Sequence, residues 1–340
     1  MKRADVLRAW GRILQGYPPS LSIEITTLCP LKCPGCYAYQ PEHVGGAPLE
    51  SLSDLQGSEL VQGILDLVDR YRPLSVHLVG GEPLVRHKEL SAVLPQLDAR
   101  GVRAEVVTSA VRPIPLEWTA LGRVNVVVSI DGLQPEHDVR RKPATYERIL
   151  KHIRGHRIIV HCTITSSMME RDGYLEAFVR RWSEQDEVGS IRLSFFTPQV
   201  GETSREILTP AMRAQAVAEM RRLRSAYPKL QLTAAMLEAY LAPPGSPDHC
   251  IFARITRCIS ADLESVVSPC QFGGNPDCGQ CGCVATMALH SIGEHRLFGG
   301  PRLATLFETS HRIGDGVRKL RERRTGSRWI GSKIAAALRS

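Results

Sequence analysis

The chain has 340 residues, 43% of them hydrophobic and 23% charged, enough for an enzyme core of roughly 200 residues or more plus a smaller second unit. No apolar run of about 18 residues occurs, which argues against a spanning helix. The charges scattered through residues 1–10 break the apolar stretch that a secretory signal needs, so a cytoplasmic protein is expected. The formal net charge is +8, but nine Lys or Arg against Asp315 and Glu322 in residues 312–340 carry most of it, so nucleic acid is not the expected partner.

From about residue 20 the sequence alternates β-rich runs with helical periodicity. Residues 21–25, 75–79, 103–108, 124–130, 157–165 and 191–196 read as strands, with helical stretches such as Leu60-Ile64-Leu65-Val68 between them. Six strands, each followed by a helix, predict a parallel sheet with crossover helices, either open or a full or partial barrel. Ligands then bind at the carboxyl ends of the strands. In 157–165, alternation puts His161 and Thr163 on the cavity side and Cys162 in the core. Arg140 and Arg141 read as solvated surface charges. Breakers at residues 242–247 mark a boundary before a cysteine-rich segment.

Ten cysteines in a chain without an export signal point to metal binding rather than disulfides. Cys29, Cys33 and Cys36 follow the first strand as C-x3-C-x2-C, so three thiolates on one loop can converge on an inorganic cluster. With no fourth cysteine nearby, a cubane would keep one iron open for a ligand. The spacing also fits a zinc site with a distant fourth ligand. Downstream, Gly80-Gly81-Glu82-Pro83 ends the second strand, where paired glycines admit close backbone approach and Glu82 can pair with a cation.

With both motifs in place, residues 18–235 resemble the radical S-adenosylmethionine (SAM) superfamily. The resemblance implies a partial (β/α)6 TIM-like barrel and a [4Fe-4S] cluster on Cys29, Cys33 and Cys36 whose open iron binds SAM. It implies SAM contacts from Gly80, Gly81, Glu82, Pro83, Ser129 and Asp131, the last two from the segment Ser129-Ile130-Asp131-Gly132. Arg192 is a candidate for the SAM carboxylate by bidentate geometry, or else a strand-end salt bridge. His77 is a candidate to face substrate, or else a core histidine. The implied chemistry is reductive SAM cleavage to a 5′-deoxyadenosyl radical that takes a hydrogen from substrate, with a donor such as flavodoxin or ferredoxin supplying the electron. Two positions depart from the family pattern: Gly35 stands where an aromatic residue is usual, and Thr108-Ser109-Ala110 replaces Thr-Asn-Gly.

Cys250, Cys258, Cys270, Cys278, Cys281 and Cys283 crowd into 34 residues. They resemble the family's SPASM and twitch auxiliary-cluster units, which implies a small domain over residues 246–290 with one further [4Fe-4S] cluster. The favoured ligands are Cys270, Cys278 and Cys281 with Cys250 or Cys258; a structural zinc knot is the alternative. Residues 264–270 read as a turn and strand delivering a thiolate. Relatives with such units make a peptide the default substrate. The basic tail, residues 291–340, keeps a lipid or other small molecule and a peripheral membrane contact in view through Trp329, Ile330, Ile334, Ala337 and Leu338 on one helical face. A non-catalytic iron–sulfur or zinc protein is the rival from another class.

Overall fold

The structure is a computed structural model that describes residues 3–337 apart from 144 and 297–299, and the side chains of the terminal helix as far as residues 321 and 323. Among the described residues one sheet of seven parallel strands forms, in the order β6-β5-β4-β3-β2-β1-β7. The strands are β1 (Ser20–Glu24), β2 (Ser75–Val79), β3 (Arg103–Thr108), β4 (Val124–Ser129), β5 (Ile158–Ile164), β6 (Val188–Phe195) and β7 (Thr256–Ile259). Edge strands β6 and β7 are not paired, so this is the unclosed barrel expected. The six expected strands form within two residues of their predicted ends, except that β6 starts three residues early.

Strand β7 is the addition, and it changes the reading of the cysteine-rich segment. It pairs with β1, with Ser22 opposite Cys258. Cys281, Cys283 and Met287 also join the main hydrophobic core. The sheet therefore crosses the boundary read at residue 246. The expected strand at 264–270 is a turn with a single bridge from Val266 back to Ile259.

Alternation sorts the strands into two faces. Leu21, Ile23, Val76, Leu78, Ala104, Val106, Val128, Val160 and Leu193 are fully buried in the core. The helices that cover them include α2 (Gly57–Tyr71), α3 (His87–Ala99) and α7 (Tyr174–Ser183), each burying an apolar stripe such as Leu60, Ile64 and Val68. The opposite face carries His77, Glu105, Ser129, His161, Thr163, Arg192 and Ser194 and lines an interior cavity. His161 and Thr163 thus face inward and Cys162 is buried core, as alternation predicts.

The concave side is closed by helices at both ends of the chain: α1 (Arg3–Leu14), α10 (Ile251–Ile255), α11 (Val284–Gly293) and α12 (Leu303–Ala337). Helices α1 and α12 meet so closely that a Cβ on Gly16 would strike the Gly314 carbonyl and one on Gly314 the Ile13 carbonyl. Arg321 donates to the carbonyls of Gln15 and Gly16, fixing the contact. The tail residues Trp329, Ile330, Ile334, Ala337 and Leu338 lie outside the residues whose side chains are described. No helix among the described residues is long and apolar enough to cross a membrane.

Candidate active site

The Cys29–Cys36 loop leaves the carboxyl end of β1. Cys33 and Cys36 line the interior cavity, about 1130 Å³ in volume. Burial pushes the Cys29 thiol up to about 12, and Glu82, Cys36 and Cys33 push the same way, which reports three thiols in one another's field. Burial also raises Cys33 and Cys36, while the Arg141 guanidinium counteracts it at both. Among the described residues no three Cys, His, Asp or Glu side chains converge on a point as a single ion requires. Three thiols on one loop form an all-sulfur donor set of the kind that holds an iron–sulfur cluster.

The Gly-Gly-Glu-Pro segment supports this loop from behind. A Cβ on Gly80 would strike Glu24, and one on Gly81 would strike the carbonyls of Leu28 and Thr26. Both glycines have positive φ, so close packing and backbone shape alike exclude a side chain. The Glu82 N–H donates to Leu28 O at 2.8 Å. Its carboxylate accepts from Leu84 N at 2.9 Å, Ser109 N at 2.8 Å and the hydroxyls of Thr108 and Ser109. Both Glu82 oxygens thus accept hydrogen bonds from within the protein. The same network accounts for Thr108-Ser109-Ala110, since Ser109 supplies two donors and Ala110 takes the left-handed turn at φ +50°.

Ser129 and Arg192 line the cavity; Gly80, Gly81, Glu82, Pro83 and Asp131 do not. Arg192 forms a bidentate pair with Glu105, both distances 3.0 Å, and gives its Nε to Gln231. The salt bridge is thus the one of its two readings that the geometry contains. His77 faces the same cavity and sits 3.3 Å from Glu105. Burial alone would raise the Glu105 pKa, but hydrogen bonds from His77 and Arg192 hold it well below the usual carboxylate range.

Asp131 is fully buried behind two residues that sequence reasoning misplaced. Arg140 and Arg141 are not surface charges: both guanidinium groups converge on Asp131 beside Cys33, and both line the cavity. Arg140 also forks onto Glu206 at 2.7 and 2.8 Å. Burial opposes the Asp131 charge, yet Arg141 and Arg140 hold its carboxyl well below the usual range. Arg141 uses Nε on Asp131, and its two terminal nitrogens have no hydrogen-bond partner among the described residues. Phe196 is the other residue missed. Its ring lies against Gly35, where a Cβ would sit 2.8 Å from Phe196 Cε2. An aromatic ring thus reaches the position beside Gly35 from the end of β6. No local sequence signal marks either feature, because both depend on loops meeting across the barrel.

The cysteine-rich segment lies against the open side. Phe195 N donates to Gly282 O at 3.0 Å, and Gly282 N to the Thr197 hydroxyl at 2.9 Å. His43 ties it to the core, with Nε2 2.6 Å from Glu24 and Nδ1 3.1 Å from Phe272 O. Cys250, Cys270, Cys278 and Cys281 line one small void. Cys258 does not line that void and packs with Val44 and Val267, although it lies within the electrostatic reach of Cys270, and Cys283 precedes α11 and opens on the main cavity.

A parallel unclosed barrel with a three-thiol loop beyond its first strand is the scaffold of the radical SAM class. Residues 23–176, just under half of the chain, match the model of the Radical SAM superfamily. The chain is similar to a 7-carboxy-7-deazaguanine synthase of Hyperthermus butylicus, 33% identical over 30% of this chain and 39% of that protein. It is also similar to a PqqA peptide cyclase of Xanthomonas campestris pv. campestris, 30% identical over 35% of this chain and 31% of that one. The chain thus spans well under half the length of these relatives. Among solved structures it shares the fold of Streptococcus suis SuiB bound to its precursor peptide SuiA, with TM-score 0.52 and 17% identity over 88% of this chain and 70% of that one.

Proposed function

We propose that the protein reductively cleaves SAM at a [4Fe-4S] cluster on Cys29, Cys33 and Cys36 and abstracts a hydrogen from a substrate held in the same cavity. The observation that carries this is the continuity of the cavity, which runs from Cys33 and Cys36 across the inward strand face. Small-molecule pockets occupy about 300–1,000 Å³, so about 1130 Å³ admits a cofactor and part of a second molecule. Cys29, Cys33 and Cys36 would hold the cluster, which would supply the electron for SAM cleavage. The chain's own residues bind and shield: Ser129 and Thr163 offer hydrogen-bonding groups at the strand ends, and Phe196 covers Gly35. The carboxylate-binding role considered for Arg192 passes to Arg141, which has uncommitted donors beside Cys33 while Arg192 is spent on Glu105.

Cys250, Cys270, Cys278 and Cys281 are the proposed ligands of an auxiliary [4Fe-4S] cluster, and their shared void supports that set over one containing Cys258. Electrons come from a small donor such as flavodoxin or ferredoxin. The name of the PqqA peptide cyclase supports a peptide substrate. A lipid substrate is the second reading, favoured by the apolar lining of the far half of the cavity.

The test is anaerobic reconstitution with iron and sulfide, then dithionite and SAM, with 5′-deoxyadenosine measured by mass spectrometry. Wild type is expected to form it and a Cys29/Cys33/Cys36→Ala variant is not. A reducible cluster that yields none, with or without candidate substrates, would favour an electron-transfer protein.

A further inference from the structure

The cavity has two unlike ends. Near the cluster loop its walls are Arg140, Arg141, Thr163 and Phe196; a polar belt of His77, Glu105, His161 and Arg192 crosses the middle. Beyond that belt it continues under the amino ends of the strands, where Ser20, Ser75 and Arg103 line it. There Asp5 of α1 pairs with Arg103 at 3.4 Å. The residues that α1, α10, α11 and α12 contribute to this lobe are all apolar or glycine except Asp5 and Ser291. Asp5 is engaged by Arg8 and Arg103, and the Ser291 hydroxyl donates to Ala288 O at 2.8 Å. Even the Trp10 ring has its N–H satisfied, by Ser310 Oγ at 2.8 Å.

An apolar lobe whose polar atoms are paired, apart from the Thr256 hydroxyl, accepts a hydrocarbon chain. It is a poor host for a polypeptide, which brings an N–H and a C=O at every residue and needs partners for them. The sheet edges do not provide them: Phe195 N is taken by Gly282 O, and on β7 the carbonyl of Cys258 is taken by Val267 N. The outer surface of the same wall has a matching character. Ile313, Val317 and Leu320 recur on one exposed face of α12, in the segment that holds nine Lys or Arg against two acidic residues. An apolar stripe within a basic helix is the pattern of a helix resting on an anionic bilayer.

We infer that the lobe bounded by Val6, Trp10, Phe252, Ala288, Ile292 and Phe307 takes the hydrocarbon chain of a lipid drawn from an anionic membrane. This deepens the second substrate reading above and rests on taking the cavity as the substrate site. The chain passes between α1 and α11, and the polar belt receives the end that faces the cluster.

The test uses the full-length reconstituted protein and cis-parinaric acid, whose fluorescence rises in apolar surroundings. Saturable binding is expected for wild type. Ala288→Phe fills the lobe from α11 and is expected to weaken binding roughly tenfold or more. Ala9→Phe fills it from α1 and serves if the first variant does not fold, as judged by circular dichroism. Co-sedimentation is expected with phosphatidylglycerol vesicles and not with phosphatidylcholine alone. SAM binding by equilibrium dialysis reports the other end independently: loss of SAM binding with parinarate binding intact sinks the radical SAM reading but not the lobe. No saturable parinarate binding, equal binding by both filled variants, or binding of a short Leu-Ala peptide in its place would overturn the inference.

Discussion

Ser109 gives both its backbone N–H, at 2.8 Å, and its hydroxyl to one oxygen of the Glu82 carboxylate, while Thr108 donates to the other. The carboxylate is buried, so these bonds act as a clamp between the end of β2 and the end of β3. Through the Glu82 N–H the same clamp reaches Leu28 in the cluster loop. Glu82→Gln would turn an amide NH2 toward donors on one side. Hydrogen bonds to charged groups contribute about 1.5–3 kcal/mol each, so a loss of about 2–3 kcal/mol is expected in urea unfolding. An unchanged unfolding midpoint with weakened SAM binding would instead make Glu82 a direct ligand.

Arg140 is the second such clamp, because it joins Asp131 to Glu206 across the mouth of the cavity. Arg140→Ala leaves the buried Asp131 with Arg141 and the Thr163 N–H. Breaking a buried pair costs about 3–5 kcal/mol, and the remaining arginine puts the expected loss near about 3 kcal/mol. Arg140→Lys should recover only part of this, since an ammonium cannot fork onto two carboxylates. Equal stability of all three proteins by thermal unfolding would show that the network is solvated.

These two clamps also mark where sequence reading stops. The strands were legible because each buries one face, so β-branched runs and period-two alternation survive in the sequence. Even the inward direction of His161 and Thr163 followed from that period. Strand β7 was not legible: Thr256–Ile259 is four residues long and interrupted by Arg257 and Cys258. The C-x3-C-x2-C loop announced itself because its ligands are local. Arg140 and Arg141 looked like surface charge because their partners, Asp131 and Glu206, lie 9 to 66 positions away along the chain. Phe196 was hidden for the same reason, since nothing near Gly35 in sequence says that a ring fills the space beside it.

The cysteine assignments predict a pattern of iron loss. Wild-type protein should bind about eight irons per chain if both sites hold a four-iron cluster. Cys29/Cys33/Cys36→Ala should retain about four, and Cys250/Cys278/Cys281→Ala a different four, distinguished by whether SAM perturbs the reduced cluster's paramagnetic spectrum. Cys258→Ser should keep the full complement, because Cys258 packs against Val44 and Val267 and does not line the void. Loss of the auxiliary iron on Cys258→Ser would shift the ligand set. Zinc in place of that iron would show a structural knot.

His137 is expected to make the protein sensitive to mild acid. It lies on α4 (Glu136–Arg140) with Nδ1 accepting the Asp131 N–H at 3.1 Å, so Nε2 carries the proton and donates to Thr145 Oγ1 at 2.9 Å. Burial pushes its pKa down to about 4, and the Arg141 charge adds to the effect. Burial also lowers His161 to about 4. An unfolded histidine titrates near about 6.5. Between these values the unfolded chain binds protons that the native protein refuses, so stability falls as pH drops from about 6.5 toward 4. The full shift at His137 corresponds to up to about 3 kcal/mol. Urea midpoints measured from pH about 7 down to about 4.5 should therefore decline steeply in wild type. The decline should be shallower, from a lower starting stability, in His137→Gln, which cannot take up the proton. A wild-type midpoint that stays level over that range would mean that His137 is hydrated and titrates normally.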